Sequence, residues 1–188
     1  METARKLNER YTYADYCAWP EDERRELIDG EAYALATPTI AHQMIVREVF
    51  GQLYSYLRGK PCKVFVAPLS VRLNADEGDD TVVEPDILVV CDEQKLADGK
   101  GVVGAPDFIV EVLSPSTAKR DIFRKYALYQ ASGVREYWIV DTEEKIMMAY
   151  LLYEGRYSGS LYDESHDAVP VGVLDGCTIN LTEVFMGV

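Results

Sequence analysis

At 188 residues the chain is long enough for one sizeable domain, burying roughly 70% of its unfolded surface, and short for two. Hydrophobic residues at 48% and charged residues at 27% match ordinary soluble globular proteins, and no apolar run approaches a bilayer span, so neither a disordered nor a membrane class is favoured. A net charge of −13 weighs against nucleic-acid partners, because Lys/Arg attraction to phosphate normally dominates such binding, unless a local field differs in sign from the whole.

The segment Tyr11 to Trp19 opens the chain as a short helix, with Thr12 as cap and Asp15 in the first turn. RRELIDGEAYAL follows as a hairpin turned at Asp29-Gly30. AHQMIVREVFGQLYSYLRGK carries apolar residues at 45, 46, 49, 50, 53, 54 and 57, the spacing of a helix that stops near Gly59-Lys60-Pro61. Lys63 to Val66 and Leu69 to Leu73 read as strands broken at Pro68, followed by NADEGDD as an exposed acidic loop. Val82 to Val90 and Asp107 to Leu113 read as strands, and Ser116 or Thr117 caps a helix that runs to Ser132 and ends at Gly133. Arg135 to Asp141 is another strand, and Lys145 to Tyr153 with Arg156 to Tyr162 form a hairpin about Glu154-Gly155. The pattern predicts an α/β or α+β layered fold in a single domain, 1–188, with 107–141 as a parallel strand-helix-strand unit.

Cys17, Cys62, Cys91 and Cys177 form no CxxC pair and read as reduced thiols. The two histidines, His42 and His166, are too few for a His-rich metal cage, so any metal is expected to be hard and oxygen-bound. METARKLNER has no apolar signal core, so a cytoplasmic location is expected.

Two acids interrupt apolar strands, Asp86 in EPDILVVCDEQ and Glu111 in APDFIVEVLSPST. Asp107 shares the Glu111 face but lies about 13 Å along the strand, too far to share one ion. Asp86 sits beside Glu111 if their strands pair, and two carboxylates brought together repel unless they share a proton or a cation. Mg²⁺ suits such a pair. Read without a metal, Asp86 caps a turn and Glu111 pairs with an arginine. Lys119, Arg120, Arg124 and Lys125 follow on the next helix, where cations can hold phosphate and stabilise transition-state charge.

EPDILVV, DFIVEVLSPST and DIFRKYALYQASGVREYWIVD, with YTYADY and RRELIDGEAY upstream, resemble the Uma-two family of endonucleases within the PD-(D/E)XK, restriction-endonuclease-like superfamily. The resemblance implies a mixed central sheet flanked by helices, with extra β-hairpins, and a Mg²⁺- or Mn²⁺-dependent endonuclease in which Asp86 and Glu111 bind the metal. The superfamily lysine two residues after the second acid is absent, because Leu113 stands there. Lys125 is the candidate replacement, one turn from Tyr129 on the same helix face. Glu26 resembles an early acidic position of the family, as a third ligand or water-orienting acid, and otherwise reads as a hairpin surface charge. His42 reads as a structural helix-start residue, the tyrosines at 126, 129 and 137 and Trp138 read as core, and Ser114 lacks a histidine partner for nucleophilic work. Expected partners are DNA as substrate and a second copy of the chain in a homodimer, with no membrane. The competing reading is an inactive nucleic-acid-binding or assembly module of the same fold; a metal-free glycoside hydrolase is a third.

Overall fold

In the computed structural model, residues 10–20, 23–75, 78–113 and 118–188 are described, the side chains of 118–122 excepted. The chain opens with helix α1 (Tyr13–Cys17), whose Asp15 carboxylate accepts the Thr12 N–H and hydroxyl, both at 2.8 Å. Strands β1 (Arg25–Ile28) and β2 (Glu31–Ala34) close over Asp29 and Gly30 at φ 49° and 73°, the left-handed pair a tight hairpin requires. Helix α2 (Ile40–Leu57) starts at Thr39, whose hydroxyl accepts the His42 N–H, and buries Ile45, Val46, Val49, Leu53 and Leu57. Of the apolar positions that the spacing marks, Phe50 is only partly buried and Tyr54 is exposed, so the buried stripe is narrower than expected.

Strands β3 (Lys63–Val66), β4 (Val71–Arg72), β5 (Val82–Val83) and β6 (Ile87–Val90) follow. The expected single strand over Val82 to Val90 is two strands. Pro85 has no N–H to give a ladder, and Glu84-Pro85-Asp86 carries the chain from one sheet to another. The other arm breaks in the same place, between β3 and β4. Together they make one long hairpin bent in both arms, with β3 on β6 and β4 on β5. The loop between its arms is not simply exposed: Asp79 is half-buried and accepts from Arg72 Nε at 3.0 Å and from Arg72 Nη2 at 2.8 Å.

A short 3₁₀ turn (Glu93–Leu96) and β7 (Val102–Val103) lead to β8 (Phe108–Val112), α3 (Ala118–Ser132), β9 (Glu136–Asp141), β10 (Ile146–Tyr153) and β11 (Arg156–Asp163). The cap expected at Ser116 or Thr117 lies outside the described residues. β12 (Val169–Pro170), β13 (Thr178–Ile179) and α4 (Leu181–Val184) close the chain.

The central sheet is mixed and six-stranded, ordered β11-β10-β9-β8-β6-β3, with β8 and β9 parallel as expected. A second sheet, ordered β2-β1-β5-β4-β7, lies on one side. Alternation along the strands makes two cores. Phe108, Val110, Val112, Trp138 and Val140 face α2 and the C-terminal segment. Ile109, Tyr137 and Ile139 face Tyr129 of α3 together with Ile28, Val71 and Val83 of the second sheet.

One expectation is corrected in the chemistry of the cysteines. Cys62 and Cys91 are joined as a disulfide, and Cys17 and Cys177 are free. The register Lys63↔Val90 puts residues 62 and 91 directly opposite each other at the end of the β3–β6 ladder, a neighbourhood that a spacing of 29 residues hides. The unreduced, denatured protein is therefore expected to react with two equivalents of a thiol reagent, and with four after reduction; four without reduction would refute the bridge. Trp138, fully buried and edge-on to Phe108, is expected to cost about 3–5 kcal/mol as Trp138→Ala in urea unfolding.

Candidate active site

The β6–β8 register, Ile87↔Val110, continues one step to set Asp86 across from Glu111. Both carboxylates project from the face that α3 covers. They line a cavity of about 160 Å³, together with Glu26, His42, Leu113 and Lys125. Asp86 stands where the bent hairpin changes sheet. Its Oδ2 accepts the Val112 N–H at 2.8 Å and lies 3.2 Å from His42 Nε2.

Glu111 meets α3 instead. Lys125 and Tyr129 are one helical turn apart, so both reach the same spot: Lys125 Nζ and Tyr129 Oη donate to Glu111 Oε1 at 2.9 and 2.7 Å. Lys125 Nζ also donates to Glu26 Oε1 at 2.8 Å, and that oxygen accepts the Glu84 N–H at 2.9 Å. Glu26 is 4% exposed, so it is not the hairpin surface charge that the sequence also allowed, and Lys125 is buried with it at 8%. At the rim Arg24 makes a two-point bond to Glu84, at 2.8 and 3.1 Å.

The electrostatics follow from burial. Desolvation pushes the Glu111 carboxyl up to about 7; Lys125 opposes the rise, and the charges of Asp86 and Glu26 add to it. Burial alone would lower Lys125, but Glu111 and Glu26 outweigh it and hold the ammonium well above the ordinary lysine range. Tyr129 is pushed well up by burial and then by Glu111, so it remains a donor. Three carboxylates thus face one ammonium in a half-closed cavity.

Such a set suits a hard cation. Mg²⁺ commonly takes one or two carboxylates and fills its other positions with water and substrate oxygens. Among the described residues, the hydrogen bonds that Asp86 and Glu111 side chains accept fall on Oδ2 and Oε1, which leaves one oxygen of each carboxylate for the cavity. No group of three His, Cys, Asp or Glu residues converges to form an all-protein cage among the described residues.

Several sequence candidates lie elsewhere. Asp107 takes Arg135 Nη1 at 3.0 Å and the Cys91 N–H at 2.8 Å, as a strand-start residue. Arg124 turns to the β1–β2 hairpin, bonding Ile28 O at 3.2 Å and Glu31 at 3.3 Å. Ser114 and the side chains of Lys119 and Arg120 lie outside the described residues. The Glu84 N–H and the Arg24–Glu84 pair went unread in the sequence, where 60 residues separate the partners and no local signal links them.

Burying Glu111 gives a pH signature. Its folded pKa of about 7 exceeds its ordinary 4.5, so the native state holds that proton more tightly than the unfolded chain. The stability this contributes is complete below about 4.5 and lost as pH rises through about 7. Urea midpoints are therefore expected to fall less between pH 5 and pH 8 in Glu111→Gln than in the parent protein. Parallel curves would contradict the assignment.

Comparison with known proteins completes the description. The model of the Uma2 family, described as "Putative restriction endonuclease", matches residues 13–182. Two Synechocystis sp. proteins, "Uncharacterized protein slr1290" and "Uncharacterized protein sll1609", are 28% and 27% identical over 117 and 134 residues. These matches cover 61% and 69% of this chain; they span 60% of the first relative's length, less than two thirds, and 74% of the second's. A crystal structure from Anabaena variabilis, titled as a putative nuclease belonging to DUF820, superposes with a TM-score of 0.76. It is 19% identical, with 94% of this chain and 98% of that one covered, and shows that the two share a fold.

Proposed function

The chain belongs to the Uma2 family, and from that premise we propose that it is a divalent-metal-dependent endonuclease that hydrolyses phosphodiester bonds of DNA. The observation that carries this reading is the buried Lys125 ammonium, delivered from α3 onto Glu111 in the cavity that Asp86 also lines. In the superfamily pattern that the sequence resembles, a lysine stands two residues after the second acid. Here Leu113 holds that position and Lys125 brings the cation from another element.

Asp86 and Glu111 are the residues that would hold Mg²⁺ or Mn²⁺. Bound there, the ion supplies Lewis-acid stabilisation of phosphoryl charge and makes water a stronger nucleophile at neutral pH. The chain's own groups do the rest. An ammonium has three donors, and Glu26 and Glu111 take two of those on Lys125. The third is available to orient the attacking water or to meet a phosphate oxygen as charge builds on it. Tyr129 fixes Glu111, and Glu26 fixes Lys125. Glu26 is thereby a positioning acid in this reading, with metal ligation the alternative role.

The net charge of −13 and Leu113 favour a second reading, an inactive nucleic-acid-binding or assembly module with the same fold. Nicking of supercoiled plasmid with Mg²⁺ or Mn²⁺, and its loss with EDTA, separates the two. Lys125→Ala, checked for a native melt, is expected to lose about 10²-fold or more in cleavage rate while Mn²⁺ binding by calorimetry persists. Asp86→Ala is expected to lose both. DNA retention without cleavage would favour the module, and EDTA-resistant activity would exclude a metal enzyme.

A further inference from the structure

His42 stands apart in the cavity wall. It comes from the first turn of α2, on the opposite side of the central sheet from the helix that supplies Lys125, and reaches Asp86 at the sheet end. Its side chain is 9% exposed, and its Nδ1 is a buried polar atom without a hydrogen-bond partner among the described residues. A packing histidine usually satisfies both nitrogens, and an unsatisfied buried polar atom is destabilising. Something holds the ring here at that expense.

The chemistry of the pair identifies it. An ionised carboxylate only accepts hydrogen bonds, so the 3.2 Å contact between His42 Nε2 and Asp86 Oδ2 places the hydrogen on Nε2. An Nε2–H donor is what the contact requires, and Nδ1 is closed off from solvent. A cation in the cavity therefore meets His42 only through Asp86. Together the imidazole and the Val112 N–H place two donors on the same oxygen, Oδ2. The carboxylate is pinned by one oxygen and presents the other.

We infer that His42 is a positioning residue: as an Nε2–H donor it locks the Asp86 carboxylate in the orientation that offers Oδ1 to a divalent cation. This rests on the metal-dependent reading above. It adds a residue from α2 to a site otherwise built from β1, β6, β8 and α3. Hydrogen bonds from outside the coordination sphere typically change metal affinity about 10–100-fold, by fixing the ligand before the ion arrives.

Glutamine and asparagine separate this role from packing. A glutamine side-chain amide can place its N–H₂ near the position of Nε2, whereas the shorter asparagine places it near Nδ1. Calorimetry with Mn²⁺ is expected to show Kd raised about 10–100-fold in His42→Ala and His42→Asn, and restored to within a few-fold of the parent in His42→Gln. All three must melt as folded proteins. Parent-like affinity in every variant, or a His42→Gln as weak as His42→Ala, overturns the inference while leaving the metal reading intact. A parent protein that binds no Mn²⁺ overturns the metal reading and this role with it. Independently of any metal, ¹⁵N spectra of the ring are expected to show a hydrogen on Nε2 in the parent and a perturbed ring in Asp86→Asn; a ring that carries its hydrogen on Nδ1 alone refutes the donor geometry.

Discussion

The Lys125 ammonium is the tie on which the arrangement of the site depends. It joins three elements that are far apart in sequence: β1 through Glu26, β8 through Glu111, and its own helix α3. One of those strands belongs to the five-stranded sheet and the other to the central six-stranded one, so a single buried cation fastens the two sheets beneath the helix. Removing one member of such a cluster leaves uncompensated buried charge, a loss of about 3–5 kcal/mol. Two glutamates can stay buried side by side because the ammonium lies between them, and the ammonium can stay buried because both flank it. The cluster specifies how the layers meet more than it adds to their stability, since desolvating its members offsets much of the attraction.

The second constraint is the bent hairpin. Between the two paired halves, one arm spends residues 67–70 and the other residues 84–86, so the arms differ by one residue at the bend. The mismatch works as a bulge does, turning the strands and re-aiming a side chain. The side chain re-aimed is Asp86. Its backbone oxygen accepts the Ala67 N–H at 3.0 Å, its Oδ2 takes the Val112 N–H where the ladder to β8 would otherwise run, and its charge enters the cavity. Proline at position 85 makes the departure from the ladder cheap, because no backbone donor is lost there.

These two devices reconcile an acidic protein with the phosphate chemistry proposed for it. Three carboxylates facing one ammonium leave the cavity in need of positive charge, and burial sharpens that need, as the raised pKa of Glu111 shows. A cation would relieve it. Arg24 and Arg124, the other basic groups at this cavity, are already bonded to Glu84 and to Glu31. In the proposed function, the field that meets a phosphate in the cavity therefore depends on what the carboxylates hold and on the remaining donor of Lys125.

Local sequence determined most of the elements. The Asp29-Gly30 turn, the apolar stripe of α2, the Gly133 stop of α3, whose φ is 81°, and the Glu154-Gly155 hairpin are each encoded within a few residues, by the conformations that glycine and short polar residues tolerate and by periodic burial. The acids at 86 and 111 also stood out locally, as charges inside apolar strands. Tertiary structure alone decided the rest. That Val82 to Val90 serves two sheets, that Cys62 meets Cys91, that Glu26 is buried against Lys125, and that His42 reaches Asp86 from the far side of the sheet all depend on strand register and layer packing. Register is set by contacts summed along whole strands, so one residue of slip at the hairpin bend would exchange the faces of the strand and take Asp86 out of the cavity, and no short window of sequence carries that sum.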